Sequence, residues 1–155
     1  MNQKAAETTI LPPDYTLKKT IGENVDLRQV FSEENISKAQ GAIDQHKDSF
    51  IQWALEDIAV LEGHFANKTI KEMEEVSDKL KSQAGTFGYS LATLVAKSLN
   101  KFCIAHPNPS PEHLVVIRKH LDTLKVIFGK KITGDGGVVG NQLLEGLTQL
   151  VEKFK

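Results

Sequence analysis

Two helical patterns run through residues 77–88, SDKLKSQAGTFG, and they decide how the chain folds. Leu80, Ala84 and Phe87 recur at steps of three and four residues, and Met73 lies two turns before Leu80. Apolar side chains at this spacing form the stripe of a helix that is packed on one side. We therefore expect this stretch to be a helix in the wall of a helical bundle.

The opposite side of the same helix is polar. At about 100° per residue, Asp78, Ser82 and Gly85 lie together on that side, and Lys81 flanks them. These four residues, called the polar strip below, combine a carboxylate, an ammonium, a hydroxyl and a residue without a side chain. Gly88 is expected to end the helix, since glycine accepts the left-handed conformation of a C-terminal cap.

This stretch resembles the signature of histidine-containing phosphotransfer (HPt) domains, the intermediate carriers of two-component phosphorelays. In that family an exposed His is followed by a Lys at three residues, a small residue at four and a Gly at seven, and a hydrophobic residue and a second Gly close the helix. The matching positions here are filled by Lys81, Ser82, Gly85, Phe87 and Gly88. Asp78 stands where the family has its phosphorylated His.

The resemblance covers roughly residues 50–128 and implies an antiparallel four-helix bundle. Less specific likeness to a longer HPt-like subgroup extends to Pro12-Pro13, residues 15–17 and residues 50–53. HPt proteins have no enzymatic activity of their own. They bind receiver domains of response regulators, and in some cases histidine kinases, through this helix and its neighbour. By resemblance, Lys81 would offset phosphoryl charge, while Ser82 and Gly85 would give the partner's loops room to approach.

The carboxylate of Asp78 changes the chemistry of this position. An exposed carboxylate is ionised at pH 7, and aspartate acceptors normally rely on a Mg²⁺ held by further carboxylates. Glu74 lies one turn earlier on the same face, but one Glu–Asp pair on a convex helix gives too few ligands for a metal site. We therefore expect a docking surface, with Glu74 at its edge, that binds its partner without phosphoryl transfer, and Asp78 would mimic negative charge. No cofactor is expected.

Composition bounds the remaining alternatives. A chain of 155 residues with 40% apolar and 25% charged residues is long enough for one globular core. The net charge of −1 gives no electrostatic reason for a nucleic-acid or membrane partner. Cys103 is the single cysteine, which fits a reducing compartment. Residues 1–10 show no secretory signal, and no run of about 18 apolar residues could span a bilayer, so a cytoplasmic location is expected.

The organisation predicted along the chain is an N-terminal arm, residues 1–31, followed by a single helical bundle domain, residues 32–155. Ser32 is expected to cap a first helix of about 34 residues with a kink near Gly41. Its predicted apolar positions are Ile36, Ala39, Ile43, Phe50, Trp53, Ile58, Leu61 and Phe65. A capping box of Thr69 and Glu72 would start the second helix.

Two further bundle helices and an extra C-terminal helix complete the expected all-α fold. Their predicted apolar stripes are Leu91, Leu94, Val95, Leu99 and Phe102; Leu114, Ile117, Leu121, Leu124 and Phe128; and Val139, Leu143, Leu147, Leu150 and Phe154. Ser110, Pro111 and Glu112 form a helix start.

The other motifs of the sequence are weaker indications of a functional site. None of the five histidines, His46, His64, His106, His113 and His120, has a Lys three residues later and small residues beyond. His46 is expected at the edge of the core, and His120 flanks the apolar stripe of Leu121 and Leu124. Cys103-x-x-His106 is half of a metal motif without a second half, which favours a buried thiol. The glycine-rich residues 134–140 precede a helix but follow no strand, so they indicate an interhelical loop more than a phosphate cradle.

Two other functions compete with phosphorelay docking. The first is a structural or dimerisation bundle, in which the long first helix and the last helix would form a homodimer interface. The second is a small-molecule enzyme, for which the sequence offers no convergent acid–base set.

Overall fold

The computed structural model describes Arg28 and residues 31–154, which form six helices and no strand. In chain order these are α1 (Glu33–Gln45), α2 (Lys47–Asn67), α3 (Ile70–Thr86), α4 (Ser90–Ala105), α5 (Pro111–Gly129) and α6 (Gly137–Lys153). The predicted all-α class is confirmed. In the described part of the chain, no helix has both the length and the apolar character that a bilayer crossing requires.

The chain divides into two compact units, Met1–Gln40 and Gly41–Lys155, and the division falls within α1. Of the predicted arm, only Arg28 and Phe31 belong to the described residues, so its Pro12-Pro13 and the apolar positions before Arg28 lie outside them. At the start of α1, the backbone N–H of Asn35 donates to Ser32 Oγ at 3.3 Å, as expected for an N-cap.

Helices α2 to α5 form a ring in which each packs on the next and α5 packs back on α2. An aromatic cluster shows their directions. Phe50, near the start of α2, stacks on Phe87 at the end of α3, with ring centroids 4.4 Å apart. Phe50 also contacts Tyr89, just before α4, and Phe128, at the end of α5. Two helix starts and two helix ends meet at this pole, so successive helices are antiparallel.

The prediction of one continuous first helix is wrong, because that helix is interrupted. It is broken at His46, where φ is −97° and ψ is 0°, and Gly41 lies inside α1. The helix before the break has no buried residue, and the core begins at Phe50. His46 was expected at the edge of the core, but it is exposed and lines an apolar groove of about 310 Å³ with Trp53 and Phe87.

Most stripe residues from α2 to α5 are buried, but several expected core residues are not. Those that are exposed are Ile36, Trp53, Leu94 and Val139. On α4 the buried side runs through Leu91, Val95 and Leu99, which turns Leu94 towards solvent.

The capping box predicted at the start of α3 is not formed. Thr69 is the N-cap, but its side chain makes no capping hydrogen bond. Its Oγ1 lies 2.7 Å from His64 Nδ1 and donates to the carbonyl oxygen of His64 at 3.4 Å. The hydroxyl is thus used to join the end of α2 to the start of α3.

The end of α3 follows the prediction. Gly88 has φ of +83°, its N–H donates to the carbonyl of Gly85, and the N–H of Tyr89 donates to the carbonyl of Ala84 at 2.8 Å. This pair of bonds is a Schellman motif. The glycine-rich loop secures the same junction, because Gly134 donates to the carbonyl of Gly88 and accepts from the N–H of Leu91.

Helix α6 packs on α5 and α4. Its first turn lies against the loop before it, where the N–H of Gly137 donates to Asp135 Oδ1 at 2.9 Å. A carboxylate of the chain itself therefore occupies the helix start that a phosphate would need, in keeping with the interhelical loop that was predicted.

A pair of glycine variants tests this packing. A Cβ at Gly140 would lie 1.9 Å from the carbonyl oxygen of Asp135, whereas a Cβ at Gly146 of the same helix would meet nothing within 4 Å. Gly140→Ala should lower the free energy of unfolding by about 1–3 kcal/mol, and Gly146→Ala should raise it by roughly 0.5–1 kcal/mol. Urea unfolding measures both, and equal effects of the two variants would contradict the close approach.

Candidate functional site on the outer face of α3

The structure brings the four residues of the polar strip together on the outer face of α3. Asp78 lies in the middle of the helix with 57% of its side chain exposed. Lys81 is 31% exposed, and its Nζ donates to Asp78 Oδ1 at 2.5 Å. Ser82 and Gly85 are exposed one and two turns further on. The centre of the strip is therefore a neutral ion pair of a carboxylate and an ammonium.

Ser82 and Gly85 leave their part of the outer face of α3 without protruding side chains. The hydroxyl of Ser82 folds back and donates to the carbonyl of Asp78 at 2.9 Å. A Cβ at Gly85 would lie 3.4 Å from Thr93 Oγ1 of α4, which is ordinary contact. A methyl group therefore fits at Gly85, but a larger side chain would have to extend outward over the strip.

Glu74, the fifth predicted site residue, sits at the edge of the strip nearest α4 and is half-buried. Its carbonyl oxygen accepts from Asn100 Nδ2 at 2.9 Å and from Ser77 Oγ at 3.0 Å. Within the described residues, no group of three or more His, Cys, Asp or Glu side chains could hold a metal ion. Glu74 and Asp78 thus have no third metal ligand there.

Two residues with no predicted role hold α3 against α4. Ser77 is fully buried, and Asn100 Nδ2 reaches its hydroxyl at 3.3 Å as well as the carbonyl of Glu74. The available sequence signal was a polar residue in an otherwise apolar position of each helix. It could not indicate that the two would meet.

The other edge of the strip is closed by an ion pair to α2. Lys79 turns away from Asp78, and its Nζ donates to Asp57 Oδ1 at 2.7 Å. Helix α6 packs on α4 and α5, and Asp78, Ser82 and Gly85 remain exposed. Within the described residues, the strip is therefore an uncovered convex surface bounded by contacts to both neighbouring helices.

The histidine that follows α4 and the two histidines of α5 have structural partners. His106 stacks on Phe102, with ring centroids 4.3 Å apart. His113 and Ser110 form a reciprocal capping box at the start of α5. His120 is fully buried, where the sequence placed it beside the apolar stripe. None of these three stands free on an exposed helix face.

The contacts of His120 fix its tautomer. Nδ1 lies 2.8 Å from the carbonyl oxygen of Val116, and Nε2 lies 2.9 Å from Ser98 Oγ. A carbonyl oxygen only accepts, so Nδ1 carries the proton and Nε2 accepts from the serine hydroxyl. Burial lowers the pKa of His120 below its ordinary value, against a smaller opposing effect of the hydrogen bond to Val116.

Cys103 is buried, as predicted. Desolvation, together with the nearby carboxylate of Glu74, raises the pKa of the thiol to about 12. A protonated, buried thiol is a poor nucleophile and a poor metal ligand. The role that remains for Cys103 is packing on the buried side of α4.

Compared with known protein families, curated proteins and solved structures, the chain has no match.

The buried imidazole predicts how stability depends on pH. Because the pKa of His120 is lower in the folded chain than in the unfolded one, the unfolded state binds more protons as the pH falls below about 6.5. This contribution to stability is complete above that pH and is lost on acidification, with a slope of at most about 1.4 kcal/mol per pH unit.

Urea unfolding of the wild type between pH 7.5 and 5 should show this loss, and His120→Gln should show a smaller slope. His46→Gln, at an exposed position, is the control and should keep the wild-type slope. Equal slopes for His120→Gln and the wild type would contradict the assignment.

Proposed function

We propose that this chain is an HPt-like phosphorelay protein that binds the receiver domain of a response regulator, or a histidine kinase, without carrying phosphate itself. The observation that carries the proposal is the position of Asp78. Its carboxylate stands in the middle of an exposed helix face of an antiparallel bundle. Lys81 lies beside it and small residues follow at one and two turns, which is the arrangement that the resemblance implies.

The shape of this surface suits docking of a receiver. A receiver presents its aspartate in a shallow pocket, so a partner must reach it from a convex surface with low flanks. The hydroxyl of Ser82 lies back on its own helix, and Gly85 adds no side chain. A loop of the partner can therefore approach the backbone of α3, while the ends of the helix are fixed by its contacts to α2 and α4.

The chemistry of Asp78 favours binding over transfer. A carboxylate accepts a phosphoryl group readily only where a cation offsets the charge that develops. The cation here is Lys81, which is already paired with Asp78, and the described residues offer no cluster for a metal ion. The proposed protein is therefore not an enzyme, and it acts in the cytoplasm by occupying a receiver or kinase.

Binding through the strip makes a first prediction. Ser82→Trp should weaken binding to the cognate receiver at least about tenfold, or 1.4 kcal/mol, because an indole would fill the space that the receiver loop needs. Val115→Trp is the matched control, since Val115 is exposed on α5 and should leave the affinity unchanged. The assay is isothermal titration against a panel of receiver domains from the source organism.

The panel also includes histidine kinase domains. If none of its members binds the wild type, or if Ser82→Trp binds as tightly as the wild type, the proposed docking is overturned. Light scattering of the free protein checks the competing dimer. A stable dimer, together with no binding of a receiver or histidine kinase, would favour that function instead.

Restoring the missing imidazole is the second test. Asp78→His should accept a phosphoryl group from a receiver charged with acetyl phosphate, because an exposed imidazole at this position has the nucleophile that the surface otherwise lacks. Wild type and Asp78→Asn should stay unlabelled under the same conditions, as measured by Phos-tag electrophoresis. Labelling of the wild type would contradict binding without transfer, and an unlabelled Asp78→His that still binds the receiver would show that the surface docks in another geometry.

A further inference from the structure

A cavity of about 320 Å³ lies between α4 and α6, outside the docking surface proposed above. Its lining combines apolar walls with three polar side chains, and none of its residues belongs to the polar strip. The volume is at the lower end of the range of about 300–1,000 Å³ that is usual for small-molecule sites, which share this kind of lining. The lining residues are Ser98, Lys101, Phe102, Ala105 and the cap residue His106 of α4, and Val151 of α6.

The apolar walls of the cavity are held in place by the packing of the core. Phe102 is only 3% exposed, and the ring of His106 stacks on it with centroids 4.3 Å apart. Val151 is half-buried against the same core from the side of α6. The cavity thus has a fixed aromatic and aliphatic surface, which suits the apolar body of a ligand, and an aromatic ring above all.

The hydroxyl of Ser98 offers the cavity an acceptor and not a donor. Its proton is used in the bond to Nε2 of His120 at 2.9 Å, because the contact with the carbonyl of Val116 fixes the tautomer of that ring. The oxygen keeps its lone pairs. Ser98 is half-buried, so a ligand that donates an O–H or N–H to it would satisfy a group that is partly withdrawn from water.

The imidazole of His106 offers a second acceptor. Its Nδ1 lies 3.0 Å from the carbonyl oxygen of Phe102, which only accepts, so Nδ1 carries the proton in the neutral ring. The lone pair of the neutral ring is then on Nε2, on the side of the imidazole away from this carbonyl. Two acceptors in one lining favour a ligand with a hydroxyl or amide donor.

Lys101 supplies the charge of the cavity. Helix α4 contains no acidic residue, and within the described residues the ion pairs of 4.0 Å or less do not involve Lys101. Glu74 lies at the edge of α4 marked by Asn100, about 100° around the helix from Lys101. Glu152 follows Val151 on α6 without pairing with Lys101. An ammonium group at the exposed rim of an apolar cavity favours an anionic ligand, because a carboxylate there gains a charge-assisted hydrogen bond.

We infer that this cavity binds a small aromatic monocarboxylic acid that also carries a hydroxyl group. The carboxylate pairs with Lys101 at the exposed rim. The ring lies against Phe102 and Val151. The hydroxyl donates to Ser98 or His106. Such a ligand bridges α4 and α6 and stabilises the folded chain by binding to it. The site is separate from the docking surface on α3, so it stands whether or not a receiver binds there.

Three related compounds test the class of ligand on the full chain. 4-Hydroxyphenylacetate, which has the ring, the carboxylate and the hydroxyl, should bind with a Kd below about 1 mM. 2-(4-Hydroxyphenyl)ethanol, which lacks the carboxylate, should bind at least about tenfold more weakly, and phenylacetate, which lacks the phenolic hydroxyl, should bind several-fold more weakly. Isothermal titration at pH 7.5 gives the affinities, and the amide shifts in two-dimensional NMR spectra should map to residues 98–106 and 151.

Two variants test the cavity itself. Lys101→Gln should weaken binding of 4-hydroxyphenylacetate at least about tenfold and leave binding of the alcohol unchanged. Its control is Lys97→Gln, since Lys97 is exposed on the same helix but outside the lining. Val151→Trp should abolish binding of all three compounds, because the indole fills the cavity. Its control is Val139→Trp, since Val139 is 54% exposed near the start of α6.

The failure of this ligand site would be distinct from the failure of the docking surface. The site is overturned if 4-hydroxyphenylacetate shows no saturable binding up to about 10 mM, if either of the other compounds binds equally well, or if the shifts map away from the cavity. Wild-type affinity of Lys101→Gln or Val151→Trp would overturn it as well. Lys101→Gln replaces an exposed side chain, so this variant remains informative if Val151→Trp does not fold. None of these results changes the outcome of the receiver experiments.

Discussion

The close packing of α3 on α4 is the constraint on which the rest of the surface depends. Both helices bury small or thin side chains, Ser77 and Ala84 on α3 and Ala92, Ala96 and Cys103 on α4. Small side chains let two helix backbones approach, and the interior leaves no room to rotate one helix against the other without opening voids. Asn100 adds direction, since its amide reaches the carbonyl of Glu74 and the hydroxyl of Ser77. Once this side of α3 is fixed, the opposite side must carry Asp78 outward.

Both ends of α3 are fixed as firmly as its middle. At its start, His64 and Thr69 join it to α2. At its end, the bonds around Gly88 and the loop at Gly134 tie the junction with α4 to the loop before α6. The aromatic cluster around Phe50 closes the same pole. A site on a helix held at both ends keeps its side chains in a fixed arrangement, which is what a surface needs if it binds by shape.

Sequence periodicity was enough to predict α3, its polar strip and its glycine end, because these features depend on residues within a few turns of one another. It failed where contacts between two helices compete with the pattern within one helix. Thr69 had the pattern of a capping box, but His64 uses its hydroxyl. Leu94 matched the helical period of α4, yet the ring of four helices places the buried side of α4 one position away. The bond between Ser77 and Asn100 joins residues 23 positions apart, so it follows only once the pairing of the helices is known.

The charged side chains on the outer face of α3 contribute little to the stability of the fold. An exposed ion pair such as Asp78–Lys81 stabilises a protein by about 0–1 kcal/mol. The side chain of Asp78 is exposed and pairs with Lys81, so it takes no part in the buried contacts of α3. Stability therefore places no strong demand on an acid there, or on a glycine at the exposed position 85, where a methyl group would fit. What Asp78 and Gly85 share is exposure on one face of α3, and the proposed docking depends on that exposure.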